Sequence, residues 1–416
     1  MASEADVLEI EQLARCVEKL RAYLQAQDYA GYDPYDGLES GVFQALPLRR
    51  WKWARIAMTQ FVKRSPWNLR RLLRVPRGRN PKGVALCISA LIHLARASEG
   101  QADQEETHGL VDWLTEHKAQ GYSSCCWGYN FDWQSRSFFA AKNTPNVNCS
   151  IFVANALLDA HEQFGHVAHL EMARSTCAFL QDHLLARTDG GIYFRYVPGN
   201  DTVVHNVNLL AAALLARVFA RTGEQGLLEL AREAARFSVK RQNDDGSWYY
   251  GEAGNQRWID NFHTGFILVA LSRYMRYTGD QSFRGPLQKG RVFWEQRFFG
   301  SDGAPKYHPD AAYPFDVHSA AQAVVTHLEF SREEPEAVEK ARHVAAWALR
   351  NLWSADGFFY FQIHRFYTIR IPYLRWSQAW MFCALTLLLE IWRTARPGGE
   401  ACVTARGQNS TPGAPG

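Results

Sequence analysis

No stretch of this 416-residue chain reaches the roughly 18 consecutive apolar residues that a membrane-spanning helix requires. Residues 1–6 lack the basic start and apolar run of a secretory leader. The eight cysteines show no paired CxxC spacing, although Cys125 and Cys126 adjoin, which argues against a disulfide framework or a zinc ribbon. These absences predict a reducing, cytoplasmic setting. The chain also has no Walker loop, GxGxxG fingerprint or GxSxG elbow, which removes nucleotide-binding and serine-hydrolase readings. Without HExxH or CxxC, no metal and no cofactor are expected.

One region lacks charge of one sign. Residues 42–82 hold twelve Lys and Arg and no Asp or Glu, while the net charge of the whole chain is only +4, too mild for a nucleic-acid partner. Trp51, Trp53, Phe61, Trp67, Leu72 and Leu73 are interleaved with those bases. The mixture suits peripheral contact with the inner face of a membrane, with a polysaccharide synthase complex or with a polyanionic glycan. The plainer alternative is a solvated basic face with its aromatics turned inward.

What the chain does have is a period. Apolar segments open at Asn146, Asn206, Asn261 and Asp316, and a more charged, amphipathic segment follows each: 166–185, 225–240, 281–299 and 335–352. Asp-Gly turns with aromatics come next, at Asp189, Asp245, Asp302 and Asp356, and predict short extended strands. Upstream, Asp36-Gly37 and Lys82-Gly83 are read as two further inner-helix starts, and the stretch from Tyr373 to Trp392 as the last inner helix. The expectation is an all-α fold, an (α/α)6–7 toroid over 1–395 that includes 42–82, with a disordered Gly/Pro/Ser/Thr-rich tail at 396–416.

The segment containing Gln242, Gly246 and Trp248 resembles the QW motif of squalene-type cyclases, and the hairpin repeat resembles the α/α toroids generally. These comprise terpenoid cyclases and prenyltransferases on one side, and six-hairpin glycosidases, lyases and uronate epimerases on the other. Tyr32-Asp33-Pro34-Tyr35-Asp36-Gly37, Trp127-Gly128-Tyr129, Thr144-Pro145-Asn146 and Trp258-Ile259-Asp260-Asn261-Phe262-His263 are similar to toroid proteins of bacterial exopolysaccharide gene clusters. That likeness implies a pathway and assigns no catalytic residue.

Parallel inner helices would gather their positive N-terminal ends at one rim, favouring an anion. Each aligned start carries two polar residues one spacer apart: Asn146/Asn148, Asn206/Asn208, Asn261/His263 and Asp316/His318. The first of each pair suits an N-cap. The second needs a partner inside an apolar helix, which singles out His263 and His318 for proton transfer. Among the rim carboxylates Asp33, Asp36, Asp132, Glu252, Asp260 and Asp316, the preferred acid/base pair is Glu252 with Asp260. Tyr35, Trp127, Tyr129, Trp133, Trp248, Tyr249, Trp258 and Tyr307 supply sugar-stacking faces, and Arg375 with Trp376 replaces the polar pair in the last helix.

The sequence therefore predicts a carbohydrate-active enzyme, of uronate epimerase, hydrolase or lyase type, that modifies or cleaves an acidic exopolysaccharide or its lipid-linked precursor. Two alternatives remain. One is a non-catalytic glycan-binding protein of a synthase complex. The other is an isoprenoid cyclase or prenyltransferase, against which stands the absence of a DxDD motif.

Overall fold

The computed structural model describes residues 8–98 and 104–395; the tail expected at 396–416 lies outside them. The helices begin with α1 (Ile10–Ala26), the single-turn α2 (Gly41–Gln44), α3 (Lys52–Arg64), α4 (Pro81–Ala97) and α5 (Gln104–Glu116). Next come α6 (Val147–Phe164), α7 (Val167–Phe179), α8 (His205–Thr222), α9 (Gln225–Val239) and α10 (Asn261–Thr278). The last are α11 (Arg284–Arg297), α12 (Val317–Glu329), α13 (Glu336–Asn351) and α14 (Ala379–Thr394).

Among the described residues, α4, α6, α8, α10, α12 and α14 pack side by side in that order, and α14 packs back on α4 to close the ring. Their burial explains their composition. In α12 every residue from Val317 to Leu328 is buried, as an apolar helix enclosed by others must be. Around them stand α5, α7, α9, α11 and α13, each packed on the inner helix that precedes it, while α1 packs on α14. The outer helices bury less: in α9 the buried residues are Leu227, Ala231, Ala234, Ala235, Phe237 and Ser238, mostly at helical spacing.

Among the described residues the ring thus has six hairpins. Asp36-Gly37 does not open an inner helix, because 36–39 forms one tight 3-10 turn and α2 has only four residues. Beyond Phe43 the chain runs into Gln44, Pro47, Arg49 and Arg50, so no apolar stripe continues.

Inner-helix starts are set by caps. The side chains of Asn80, Asn146, Asp260 and Asp316 accept from the backbone N–H groups of Lys82, Cys149, His263 and His318. Two expected caps are corrected. Asn261 is the first residue inside α10, with Asp260 capping, and α8 opens at His205 after Val204, which offers no side-chain cap. α6, α8 and α10 stop at Gly165, Gly223 and Gly279, at φ +77°, +75° and +73°, the left-handed conformation that ends helices cheaply only with glycine.

Short antiparallel strands fill the turns at the rim. β1 (Trp133–Gln134) pairs with β2 (Phe139–Ala140), and β3 (Leu185–Thr188) with β4 (Gly191–Phe194). β5 (Lys306–His308), β6 (Ala311–Asp316), β7 (Gln362–Ile363) and β8 (Thr368–Ile369) form one four-stranded sheet in that order. Its register sets Gln362 opposite Asp316. After Asp245-Gly246 the expected strand is missing, and that stretch makes only a single bridge between Gly251 and Val204. There Trp248 is turned into the core, donating from its ring nitrogen to Ser238 O at 3.0 Å, so the QW-like segment is a structural turn.

Candidate functional site

The caps fix a common register. Two residues past the cap positions Asn80, Asn146, Val204, Asp260, Asp316 and Tyr373, the last opening a π-turn (Leu374–Gln378) that leads into α14, stand Lys82, Asn148, Asn206, Phe262, His318 and Arg375. All six line one cavity of about 610 Å³ at the N-terminal ends of the inner helices. The positive helix ends therefore converge on one space, as the repeat predicts.

The cavity is cationic. Among its described lining residues are Lys63, Arg64, Lys82, Arg136 and Arg375 and the histidines 263, 308 and 318, with no Asp or Glu. The carboxylates sit one layer behind. Asp33 holds Arg375 in a fork, with Nε donating at 2.7 Å and Nη2 at 2.8 Å, and leaves Nη1 outside that pairing. Lys82 has no such partner: its Nζ meets Asn148 Oδ1 at 3.3 Å and lies 4.0 Å from the Phe152 ring centroid. Burial, then the Arg375 charge, drives its amine well below the ordinary lysine range.

His263 is the best-oriented titratable group. Its Nδ1 is 2.7 Å from Asp260 Oδ2, and the same oxygen accepts from Trp258 Nε1 at 3.1 Å. Tyr250 stacks on Trp258 at 4.4 Å and tilts against the His263 ring at 4.6 Å. With Nδ1 committed to Asp260, Nε2 is the nitrogen left for chemistry. His318 differs. It stacks on Phe262 at 4.6 Å, and neither of its buried ring nitrogens has a hydrogen-bond partner. Burial, then Lys82, holds it well below the ordinary histidine range, hence neutral.

On the other wall Tyr129 and Tyr196 face each other with hydroxyls 3.2 Å apart, and Asn148 Nδ2 donates to both. Burial raises Tyr129, Tyr250 and Tyr307 well above the ordinary phenol range, so they stay protonated. Tyr35 accepts from Lys63 Nζ at 2.8 Å and sets its ring edge against Trp376. Trp133, Trp258, Tyr307 and Trp376 complete an apolar wall suited to the C–H faces of a sugar.

Of the residues expected from sequence, Tyr35, Tyr129, Trp133, Asn148, Asn206, Trp258, His263, Tyr307, His318, Arg375 and Trp376 come together here. Asp260 and Asp316 support them from behind. Asp316 accepts from Trp376 Nε1, the His318 backbone N–H and Gln362, and burial pushes its carboxyl up to about 6. The others point elsewhere. Glu252 is largely exposed and bonds His205 Nε2 at 2.7 Å, with Arg241 at 3.4 Å, so its partners differ from those of Asp260. Asp36 is buried against Arg70, Trp127 donates to Leu114 O, Asn146 is a cap and Asp132 anchors the Lys142 backbone. Asn208 is buried away from the cavity on Phe194, Ala234 and Ser238, and Tyr249 is exposed.

Sequence reasoning missed Lys82, Tyr196, Tyr250 and Lys63. Lys82 carried a signal: Asn80-Pro81-Lys82 repeats the polar, spacer, polar pattern of Asn146-Val147-Asn148. Tyr196 and Tyr250 had none, because irregular loops deliver them. Among the described residues, no group of three or more His, Cys, Asp and Glu is poised to hold a metal ion.

No protein-family model and no curated protein sequence matches the chain. Solved structures do. A GH76 α-mannanase from Bacteroides thetaiotaomicron superposes with a TM-score of 0.59 at 13% identity, over 75% of this chain and 86% of that one. A cellobiose 2-epimerase from Bacillus thermoamylovorans gives 0.61 at 10% identity, over 76% and 88%. An unsaturated glucuronyl hydrolase specific for heparin gives 0.60 at 12% identity, over 92% and 97%. The fold is that of the six-hairpin α/α toroids to which these three structures are similar.

Proposed function

We propose that this protein is a carbohydrate-active enzyme that transfers a proton on an acidic sugar, as a uronate epimerase or lyase does. The observation that carries the reading is the lining of the cavity: cations and histidines in front, every nearby carboxylate behind. Hydrolysis by two opposed carboxylates lacks its groups in that lining. Removing the proton beside a sugar carboxylate needs a base and positive charge for the enediolate that forms. His263 Nε2 supplies the base. Arg375 and the six helix ends supply the charge.

α10 stands three places from α4 around the ring, so Lys82 and His263 approach from opposite walls. In epimerisation His263 takes the proton from one face and the Lys82 amine, protonated from solvent, returns one to the other. Elimination shares the first step; the C4–O bond then breaks as the C4–C5 double bond forms, and the departing sugar oxygen takes its proton from the protonated Lys82 amine. The same cations oppose a carbocation, which disfavours the isoprenoid reading.

The substrate we infer is an acidic polysaccharide or oligosaccharide, including the lipid-linked precursor of an exopolysaccharide, with residues 42–82 making peripheral contact at the inner membrane face. Incubation with uronate-containing and neutral oligosaccharides, followed by mass spectrometry and NMR, tests it. An epimerised or unsaturated uronate product is expected. Silence on every acidic glycan, or cleavage that adds water to neutral ones, would overturn it.

A further inference from the structure

We infer that α3 and the turns around it form a docking face for an anionic phospholipid bilayer, which holds the cavity mouth at the membrane interface. The inference goes beyond the catalytic reading and does not depend on His263. Its first support is exposure. Trp51, Trp53, Phe61, Trp67 and Leu72 are 57% to 77% exposed, and on α3 Trp53, Ala57 and Phe61 recur every four residues along one outward stripe. A protein normally tucks such side chains away, and an exposed aromatic cluster of this size marks an interaction surface.

The second support is charge. Arg50, Lys52, Arg64, Arg71 and Arg74 are exposed around the same aromatics, in a stretch with no Asp or Glu to neutralise them. A partner chain with an apolar groove would match the tryptophans alone, and a soluble polyanion would match the bases alone. The interface of an anionic bilayer matches both, since indoles settle at headgroup depth and each base near the surface strengthens partition roughly fivefold. Among the described residues no helix is long and apolar enough to cross a membrane, so the contact is peripheral.

The third support is position. The opposite side of α3 is cavity wall, through Ile56, Thr59, Gln60 and Lys63. The turn between β7 and β8 carries another exposed aromatic, Phe366, 86% exposed. A surface that meets the bilayer through these residues brings the cavity rim to the headgroups, where a lipid-linked acidic saccharide would stand.

The test is partition onto phosphatidylcholine vesicles with and without phosphatidylglycerol, read by co-sedimentation and tryptophan emission. The intact protein is expected to bind the phosphatidylglycerol vesicles, shift its emission to the blue, and dissociate as salt rises. The variant W53S/W67S/L72S should lose at least about tenfold in partition, and R50E/K52E/R71E more, each with an unchanged melting temperature because the positions are exposed. H263N should bind as the parent does, so failure of the catalytic reading leaves this result standing. No partition at low salt, equal partition by both surface variants, or retention by heparin with vesicles ignored would overturn the inference.

Discussion

Asp260 engages His263 twice: its Oδ1 accepts from the backbone N–H of His263 at 2.9 Å and its Oδ2 meets the ring Nδ1 at 2.7 Å. One carboxylate thus caps α10 and orients the imidazole that the cap places at the cavity. A capping oxygen is ordinarily worth about 1 kcal/mol to the helix. Here the same group also fixes which nitrogen faces the substrate.

Replacement of either residue separates these roles. His263→Asn is expected to lower kcat on a uronate substrate by about 10² to 10⁴ with the fold intact, the usual loss when a general base is removed. Asp260→Asn keeps a good cap and removes the fixed acceptor, so the melting temperature should hold while kcat falls about tenfold or more. Steady-state kinetics beside thermal melting check both.

Lys82→Met tests the opposite wall. The substitution keeps the apolar stem against Phe152 and removes the amine that meets Asn148. If Lys82 returns the proton, the variant should still exchange substrate hydrogen with solvent while inversion falls at least about 10²-fold. Loss of both together would assign Lys82 to binding.

Arg375→Lys keeps the charge and loses the fork that grips Asp33. KM for an acidic substrate should rise about tenfold, and KM for a neutral analogue should not. Arg375→Ala leaves Asp33 buried and uncompensated, at a cost of about 3 to 5 kcal/mol, and is expected to melt far earlier.

Stability should fall with acid, and the sign follows from His327. Burial, then Lys340, depresses this imidazole, packed 4.8 Å from Trp294, to about 3. The unfolded chain therefore binds a proton that the folded one refuses between about pH 6.5 and pH 3. The contribution is complete above pH 6.5 and should drop by about 2 kcal/mol at pH 5. Neutral, buried His318 acts in the same direction. Denaturant unfolding of His327→Phe, a site remote from the cavity, should show a flatter slope over that window.

Much of the ring was legible because its cause is periodic. Enclosed helices must be apolar all round, so segments such as Val317–Glu329 announce themselves, and the polar residues that interrupt them at the rim stand out. The seventh hairpin failed where a Gly-containing polar start looked like the others but lacked a stripe after it, at Asp36-Gly37. The site was half legible. His318 and Asn148 follow from helix register, and His263 stands one place off it because Asp260, not Asn261, caps α10, whereas Tyr196 and Tyr250 reach the cavity from loops with no period. Glu252 sits on an exposed loop whose direction no periodicity fixes, and its carboxylate faces His205 rather than the cavity. At Asn206/Asn208 the register slipped, since Val204 stands in the cap position and gave no polar mark.

Solvent exchange at the carbon beside the uronate carboxylate separates proton transfer from simple hydrolysis. With a uronate oligosaccharide in deuterium oxide, the intact protein should remove the hydrogen at position 5, next to the carboxylate, leaving either deuterium there or a C4–C5 double bond, and His263→Asn should do neither. Turnover of the glycan with its original hydrogen still at position 5, or loss of that hydrogen undiminished in His263→Asn, would contradict a base at His263.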